Sequence, residues 1–219
     1  MKNDNTNNRK RERPDISAYL ERNREKVGKG GIISVLFSGV GGQGIILAST
    51  VLARAATLAG YDVKVSEVHG MAQRGGSVVG SVRFGNQVYS PIIEKADILI
   101  ALEKLESARY LDMLSPDGFL FINDYEIVPV SVYMGVKKYP ADIEEQIAGI
   151  TPGYITIKAT DIAAGLGEIR ATNMVLTGSL SRFLPIKLES WDEALKDLVP
   201  QRALELNLDA FKKGREIIK

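Results

Sequence analysis

The ten residues Glu67-Val68-His69-Gly70-Met71-Ala72-Gln73-Arg74-Gly75-Gly76 hold a carboxylate, the sequence's single histidine, a carboxamide and a guanidinium, and end on a glycine pair. Histidine titrates near neutrality, and arginine grips a phosphate or carboxylate through parallel hydrogen bonds. The same string would also serve as a turn with a structural histidine, and its chemistry alone leaves both readings open. A second constellation, Gly39-Val40-Gly41-Gly42-Gln43-Gly44, has the spacing G-x-G-x-x-G. Glycines let a backbone turn tightly against a phosphate, and the helix that follows offers free N–H groups and a positive dipole end. The alternative is a glycine turn needed only for close packing. The third, Arg170-Ala171-Thr172-Asn173-Met174, begins a helix. Thr172 or Asn173 there serves either as an N-cap or as a ligand contact.

These groups need elements to hold them. Ile32-Ile33-Ser34-Val35-Leu36-Phe37 is a β-branched, apolar run suited to a strand buried on both faces. It feeds the glycine loop, and Ile45 to Ala59 then reads as a mostly covered helix closed by Gly60. Tyr61–Glu67 is a second strand, parallel to the first. Glu67 thus falls where a dinucleotide-binding domain places its ribose-binding acid. Ser77–Phe84, a turn at 85–87 and Val88–Ser90 read as a β-hairpin with Arg83 and Tyr89 on its faces. Alternation resumes with a strand at 97–102, a helix at 104–113 and a strand at 118–123. Next come a weak helix at 142–148, a strand at 154–159, a helix from about Thr172, and amphipathic helices over 191–218 broken at Pro200. The expected fold is α/β: a three-layer Rossmann-like arrangement whose sheet is mixed, mainly parallel, and carries an inserted hairpin.

Residues 1–30 read as a polar N-terminal extension, partly disordered, with a short helix after the Asp15 N-cap that docks on the body or on a partner. Residues 31–219 form the folded domain. The chain has 28 Lys+Arg against 27 Asp+Glu, a balance without the electrostatic footprint of a nucleic-acid binder. It has no cysteine, so it holds no thiolate-bound zinc or iron–sulfur cluster, and one histidine precludes a multi-histidine metal centre. No apolar run reaches the roughly 18 residues of a membrane span. The polar N-terminus does not read as a secretory signal, and the expected location is cytoplasmic.

Gly39–Ile45 together with Ser66–Val78 closely resembles the small subunit of indolepyruvate:ferredoxin oxidoreductases, within the 2-oxoacid:acceptor oxidoreductase gamma-domain family. Val88-Tyr89-Ser90-Pro91-Ile92, Ala96–Leu99 and Thr172-Asn173-Met174 are similar to it as well, and the likeness runs from about Ile32 to Pro185. The resemblance implies a hetero-oligomer in which a large alpha subunit holds thiamine diphosphate and [4Fe-4S] clusters. The assembled enzyme would decarboxylate an arylpyruvate oxidatively, reduce ferredoxin and release an aryl-acetyl-CoA. It implies coenzyme A at the subunit interface, with Gly39, Gly41, Gly42, Gln43, Gly44, Arg74, Gly75, Gly76 and Asn173 on the binding side. Glu67, His69 and Gln73 would line the catalytic pocket, with no metal held by this chain and no activity from it alone. The alternatives are a gamma subunit for another 2-oxoacid (pyruvate, 2-oxoisovalerate or 2-oxoglutarate), a purely structural subunit, and a free-standing NAD(P)-binding Rossmann protein.

Overall fold

The structure is a computed structural model that describes residues 15–67, 75–136, 138–151 and 153–218. The run from Ile32 becomes β1 (Ile32–Val40), with Ile33 through Gly39 buried in sequence. Both faces of β1 are covered, which is why its apolar residues do not alternate with polar ones. It leads into α2 (Ile45–Leu58) and then β2 (Asp62–Glu67). Four further strands complete the sheet: β3 (Ser77–Gly85), β4 (Ala96–Ala101), β5 (Leu114–Asn123) and β6 (Tyr154–Ile157). Their order is β2-β3-β1-β4-β5-β6. β1, β4, β5 and β6 run parallel, while β3 lies antiparallel between β1 and β2.

The expected mixed, mainly parallel sheet is therefore present, but the hairpin uses different strands. β2 and β3 form the antiparallel pair, with Glu67 opposite Gly80, and residues 88–90 do not form a strand. Side chains take the backbone groups of that segment instead. Arg83 Nη1 donates to the carbonyls of Ser90 (2.7 Å) and Ile92 (2.9 Å), and Asp62 Oδ2 accepts from Val88 N at 2.7 Å. Tyr89 stands exposed rather than on a sheet face. β1 and β2 do point the same way, but a strand separates them.

Two layers of helix cover the sheet. Against one face pack α2, α6 (Ala159–Gly165), α7 (Thr172–Ser181), α8 (Leu188–Leu198) and α9 (Gln201–Ile217), around Ile33, Val35, Phe37, Phe119 and Phe121. Against the other pack α3 (Lys104–Arg109) and α5 (Ile143–Ile150), around Leu36, Leu99, Leu120 and Ile122. A short α4 (Val130–Tyr133) precedes α5. The helix expected over 104–113 is shorter than its pattern, with a 3-10 turn at Leu111–Met113 before β5. The break at Pro200 separates α8 from α9 as expected, whereas α6 lay in a stretch without periodic apolar residues.

The helix expected after Asp15 is α1 (Ile16–Gly28), and Asp15 Oδ1 caps it by accepting from Ser17 N and Ala18 N. It docks on the body. The Tyr19 ring meets Phe119 edge-on at 4.8 Å between centroids, and Asn23 Nδ2 donates to the Phe183 carbonyl at 2.8 Å. Aromatic pairs of this geometry contribute about 0.5–1.5 kcal/mol beyond the area they bury.

Candidate functional site

The chain leaves β1 onto one face of the sheet through α2, and leaves the adjacent β4 onto the other through α3. A crevice opens between the carboxyl ends of two neighbouring strands whose connections diverge in this way, and open α/β sheets bind ligands there. The glycine loop occupies that position. Gly42 (φ +104°) and Gly44 (φ +76°, the N-cap of α2) take the left-handed backbone that the turn into the helix requires. Among the described residues the N–H groups of Gly42 and Gly44 carry no partner, at the positive end of a 14-residue helix.

The two glycine constellations meet. Gly41 N donates to the Gly76 carbonyl at 2.8 Å, and Gly75 N donates to the Gly41 carbonyl at 3.4 Å. This reciprocal pairing continues the β1–β3 ladder past Val40–Ser77 and brings the end of the histidine-bearing string to the phosphate-type loop.

Gln43 and Asn173 are both committed to holding this loop. Gln43 Oε1 accepts from Val40 N at 2.7 Å while its Nε2 donates to the Leu102 carbonyl at 2.9 Å, tying β1 to the end of β4. Asn173, 2% exposed, donates from Nδ2 to the Gly44 carbonyl at 3.0 Å and accepts from Met174 N at 2.9 Å. The N-cap expected at Thr172 or Asn173 falls instead on Ala171, which has no side-chain cap, and Thr172 Oγ1 donates back to the Ile169 carbonyl at 2.6 Å. Arg170 faces solvent and pairs with Glu168 at 2.6 Å. That contact holds the Glu168 carboxyl down to about 2.

Glu67 ends β2, but β3 separates it from β1. Register sets Glu67 beside Gly80 and Gly80 beside Phe37, two strand spacings (about 9.5 Å) from β1. In a dinucleotide-binding domain the acid-bearing strand is β1's neighbour, so the ribose-binding placement expected of Glu67 does not hold. Its carboxylate instead accepts from Ser49 Oγ on α2 at 3.4 Å. His69, Gln73 and Arg74 lie outside the described residues.

Sequence reasoning missed a pair of buried glutamates at the same end of the sheet. Glu103, 1% exposed, caps α3 by accepting from Glu106 N at 3.0 Å; its other oxygen accepts from Ile127 N (3.1 Å) and Tyr139 Oη (2.8 Å). Burial first, then the Glu103 carboxylate, push the Tyr139 hydroxyl well above the tyrosine range. Glu106 accepts from Ser77 Oγ and from Arg109 Nε (2.9 Å), and Ser77 also meets Tyr110 Oη at 3.0 Å. The segment entering β3 just after Gly75-Gly76 is thus tied to α3. The available signal was three-residue spacing at a helix start, which marks a cap and says nothing of burial.

Lys104 follows Glu103 and faces Asp124 (2.8 Å), Glu126 (3.3 Å) and Glu144 (3.9 Å). The hydrogen bond to Asp124 raises its ammonium above the usual range in spite of burial. No cluster of three potential metal ligands occurs among the described residues. No helix there is long and apolar enough to cross a membrane.

Comparison with known proteins agrees with this architecture. The chain is 39% identical over 188 residues to indolepyruvate oxidoreductase subunit IorB of Archaeoglobus fulgidus, covering 83% of this chain and 93% of that protein. It is 32% identical over 190 residues to 2-oxoglutarate synthase subunit KorC of Methanothermobacter thermautotrophicus, covering 84% and 94%. Among solved structures, the gamma subunit of a keto/oxoacid ferredoxin oxidoreductase from Geobacter sulfurreducens matches with a TM-score of 0.61 at 26% identity, over 85% of this chain and 95% of that one. The 2-oxoglutarate:ferredoxin oxidoreductase of Magnetococcus marinus shares the fold at a TM-score of 0.67 and 22% identity, over 85% of this chain and 31% of that one. With residues 34–217 matching the family described as pyruvate ferredoxin/flavodoxin oxidoreductase, the chain belongs to that family.

Proposed function

We propose that this chain is the small, non-thiamine-binding subunit of an indolepyruvate (aryl-2-oxoacid):ferredoxin oxidoreductase. The reciprocal Gly41–Gly75/Gly76 pairing supports the reading, because it joins the phosphate-type loop to the glycine pair that ends the histidine-bearing string. The similarity to IorB proteins supports the substrate class. Without cysteine the chain cannot hold the [4Fe-4S] clusters, which belong with thiamine diphosphate in the large alpha subunit. Thiamine diphosphate supplies the carbanion-stabilising chemistry of decarboxylation from that subunit.

This chain's part is to bind and orient. The free N–H groups of Gly42 and Gly44 and the N-terminus of α2 take a coenzyme A phosphate. Gln43 and Asn173 hold those amides in place from behind, and Arg74 adds a guanidinium to the same ligand. Glu67, His69 and Gln73 line the shared pocket and keep water from it. Residues 31–219 form the gamma-type catalytic domain and residues 1–30 are an addition to it. The complex works in the cytoplasm, passing electrons to ferredoxin.

A panel of indolepyruvate, phenylpyruvate, 4-hydroxyphenylpyruvate, pyruvate, 2-oxoisovalerate and 2-oxoglutarate, tested on the co-expressed subunits, decides the substrate. Preference for the arylpyruvates supports the reading. Preference for 2-oxoglutarate would favour the related KorC-type role. In the same complex, Arg74→Ala should raise the KM for coenzyme A; an unchanged KM would remove Arg74 from the site.

A further inference from the structure

At the opposite end of α7 from the glycine loop, α1, α7 and α9 enclose a recess of about 240 Å³. Arg24, Arg182 and Arg215 line it with the hydroxyl-bearing Ser17 and Ser181, and no carboxylate does. Arg24 is tied to Glu21 at 2.6 Å outside the recess. Arg215 Nη1 donates to Ser181 Oγ at 2.6 Å. Arg182 makes no ion pair and no side-chain hydrogen bond among the described residues. Burial, and then the neighbouring Arg182 charge, hold the Arg215 guanidinium below its usual range, against a smaller opposing pull from Asp192.

Arg182 and Arg215 repel each other, and an anion seated between them would relieve that repulsion. The negative ends of α7 and α9 offset part of the repulsion. They do not explain why Arg182 and Arg215 line one concavity with Arg24 and the Ser17 hydroxyl, guanidinium forks of the kind that match the oxygens of a tetrahedral anion, while the Ser181 hydroxyl, which donates to the Gly178 carbonyl at 2.6 Å, holds Arg215 in place. The volume falls below the roughly 300–1,000 Å³ typical of sites for drug-sized ligands, so one anionic group fits and a whole dinucleotide does not. One wall of the recess is α1, which precedes the family match at residues 34–217.

We propose that this recess binds a phosphate-type oxyanion, either free or as the terminal phosphoryl group of a small ligand. The site stands apart from the crevice at the strand ends and does not depend on the function proposed for it.

The test is thermal unfolding and titration calorimetry of the full chain with inorganic phosphate and with pyrophosphate, against chloride at matched ionic strength. Phosphate should raise Tm where chloride does not. Arg182→Gln and Arg24→Gln should each weaken phosphate about tenfold or more, the loss of a charge-assisted contact. A sign reversal separates binding from mere structure: without phosphate Arg182→Gln should equal or exceed the wild type in Tm, since it removes repulsion, and at saturating phosphate it should fall below it. Tighter binding of pyrophosphate than phosphate would identify a larger phosphorylated ligand, and equal binding would identify the free ion. Equal responses to phosphate and chloride would overturn the proposal. So would a phosphate response unchanged in both variants, and so would loss of association with the large subunit without loss of phosphate binding, since that would assign the arginines to an acidic partner surface.

Discussion

Gly44→Ala tests how the loop is held. Gly44 sits at φ +76°, where an L-residue is strained by about 1–2 kcal/mol. A Cβ there would also run into Asn173 Nδ2, the donor to the Gly44 carbonyl at 3.0 Å. Displacing the amide costs that hydrogen bond, about 1 kcal/mol. The total is roughly 2–3 kcal/mol, or a Tm lower by about 5–10 °C for a chain of this size. Asn173→Ala alone loses the same bond and the one to Met174 N, about 1–2 kcal/mol. Because the glycine substitution already removes the Asn173–Gly44 contact, the double variant should be destabilised by about 1 kcal/mol less than the sum of the two singles. Denaturant unfolding of the four proteins measures this directly. Strict additivity would refute the reasoning, since it would mean that Asn173 does not pack against Gly44.

Three further outcomes follow from other contacts. Arg170→Ala should return the Glu168 carboxyl from about 2 toward the ordinary range near 4 in an NMR titration. Because that carboxyl is depressed, the pair's contribution is present above the unfolded value and is lost as pH falls toward 2; an unmoved midpoint would discount the ion pair. Tyr139→Phe leaves the Glu103 oxygen with Ile127 N alone and should cost about 1–2 kcal/mol in denaturant unfolding, with no loss expected only if that contact is absent. Asn23→Ala strands the Phe183 carbonyl under α1 and should destabilise by about 1–3 kcal/mol, whereas a neutral result would mean that α1 does not dock there.

What the sequence made legible was the part governed by local rules. β1, the glycine loop and α2 follow from an apolar run, fixed glycine spacing and a covered helix. Asp15 declared the start of α1, and Pro200 the gap between α8 and α9. The β-hairpin failed because Gly85-Asn86-Gln87 followed by Val88-Tyr89 has the chemistry of a tight turn and return. Arg83 and Asp62 override it by capturing that segment's backbone, a long-range event invisible to local pattern. The same missed pairing misplaced Glu67 as a neighbour of β1. At the site the glycines were evident, while Glu103 and Glu106 resembled ordinary helix-start charges because their burial arises only when α3 folds over the sheet. Asn173 was visible as a residue of interest, but its target, the Gly44 carbonyl, lies 129 positions away.

The most direct test of the central claim is anaerobic, coenzyme A-dependent reduction of a viologen dye by an arylpyruvate. The assay compares this chain alone, the thiamine/iron–sulfur subunit alone, and the co-expressed pair. Activity confined to the pair is the predicted result. Failure of the two chains to co-purify, with tight NAD(P) binding by this chain instead, would contradict the account.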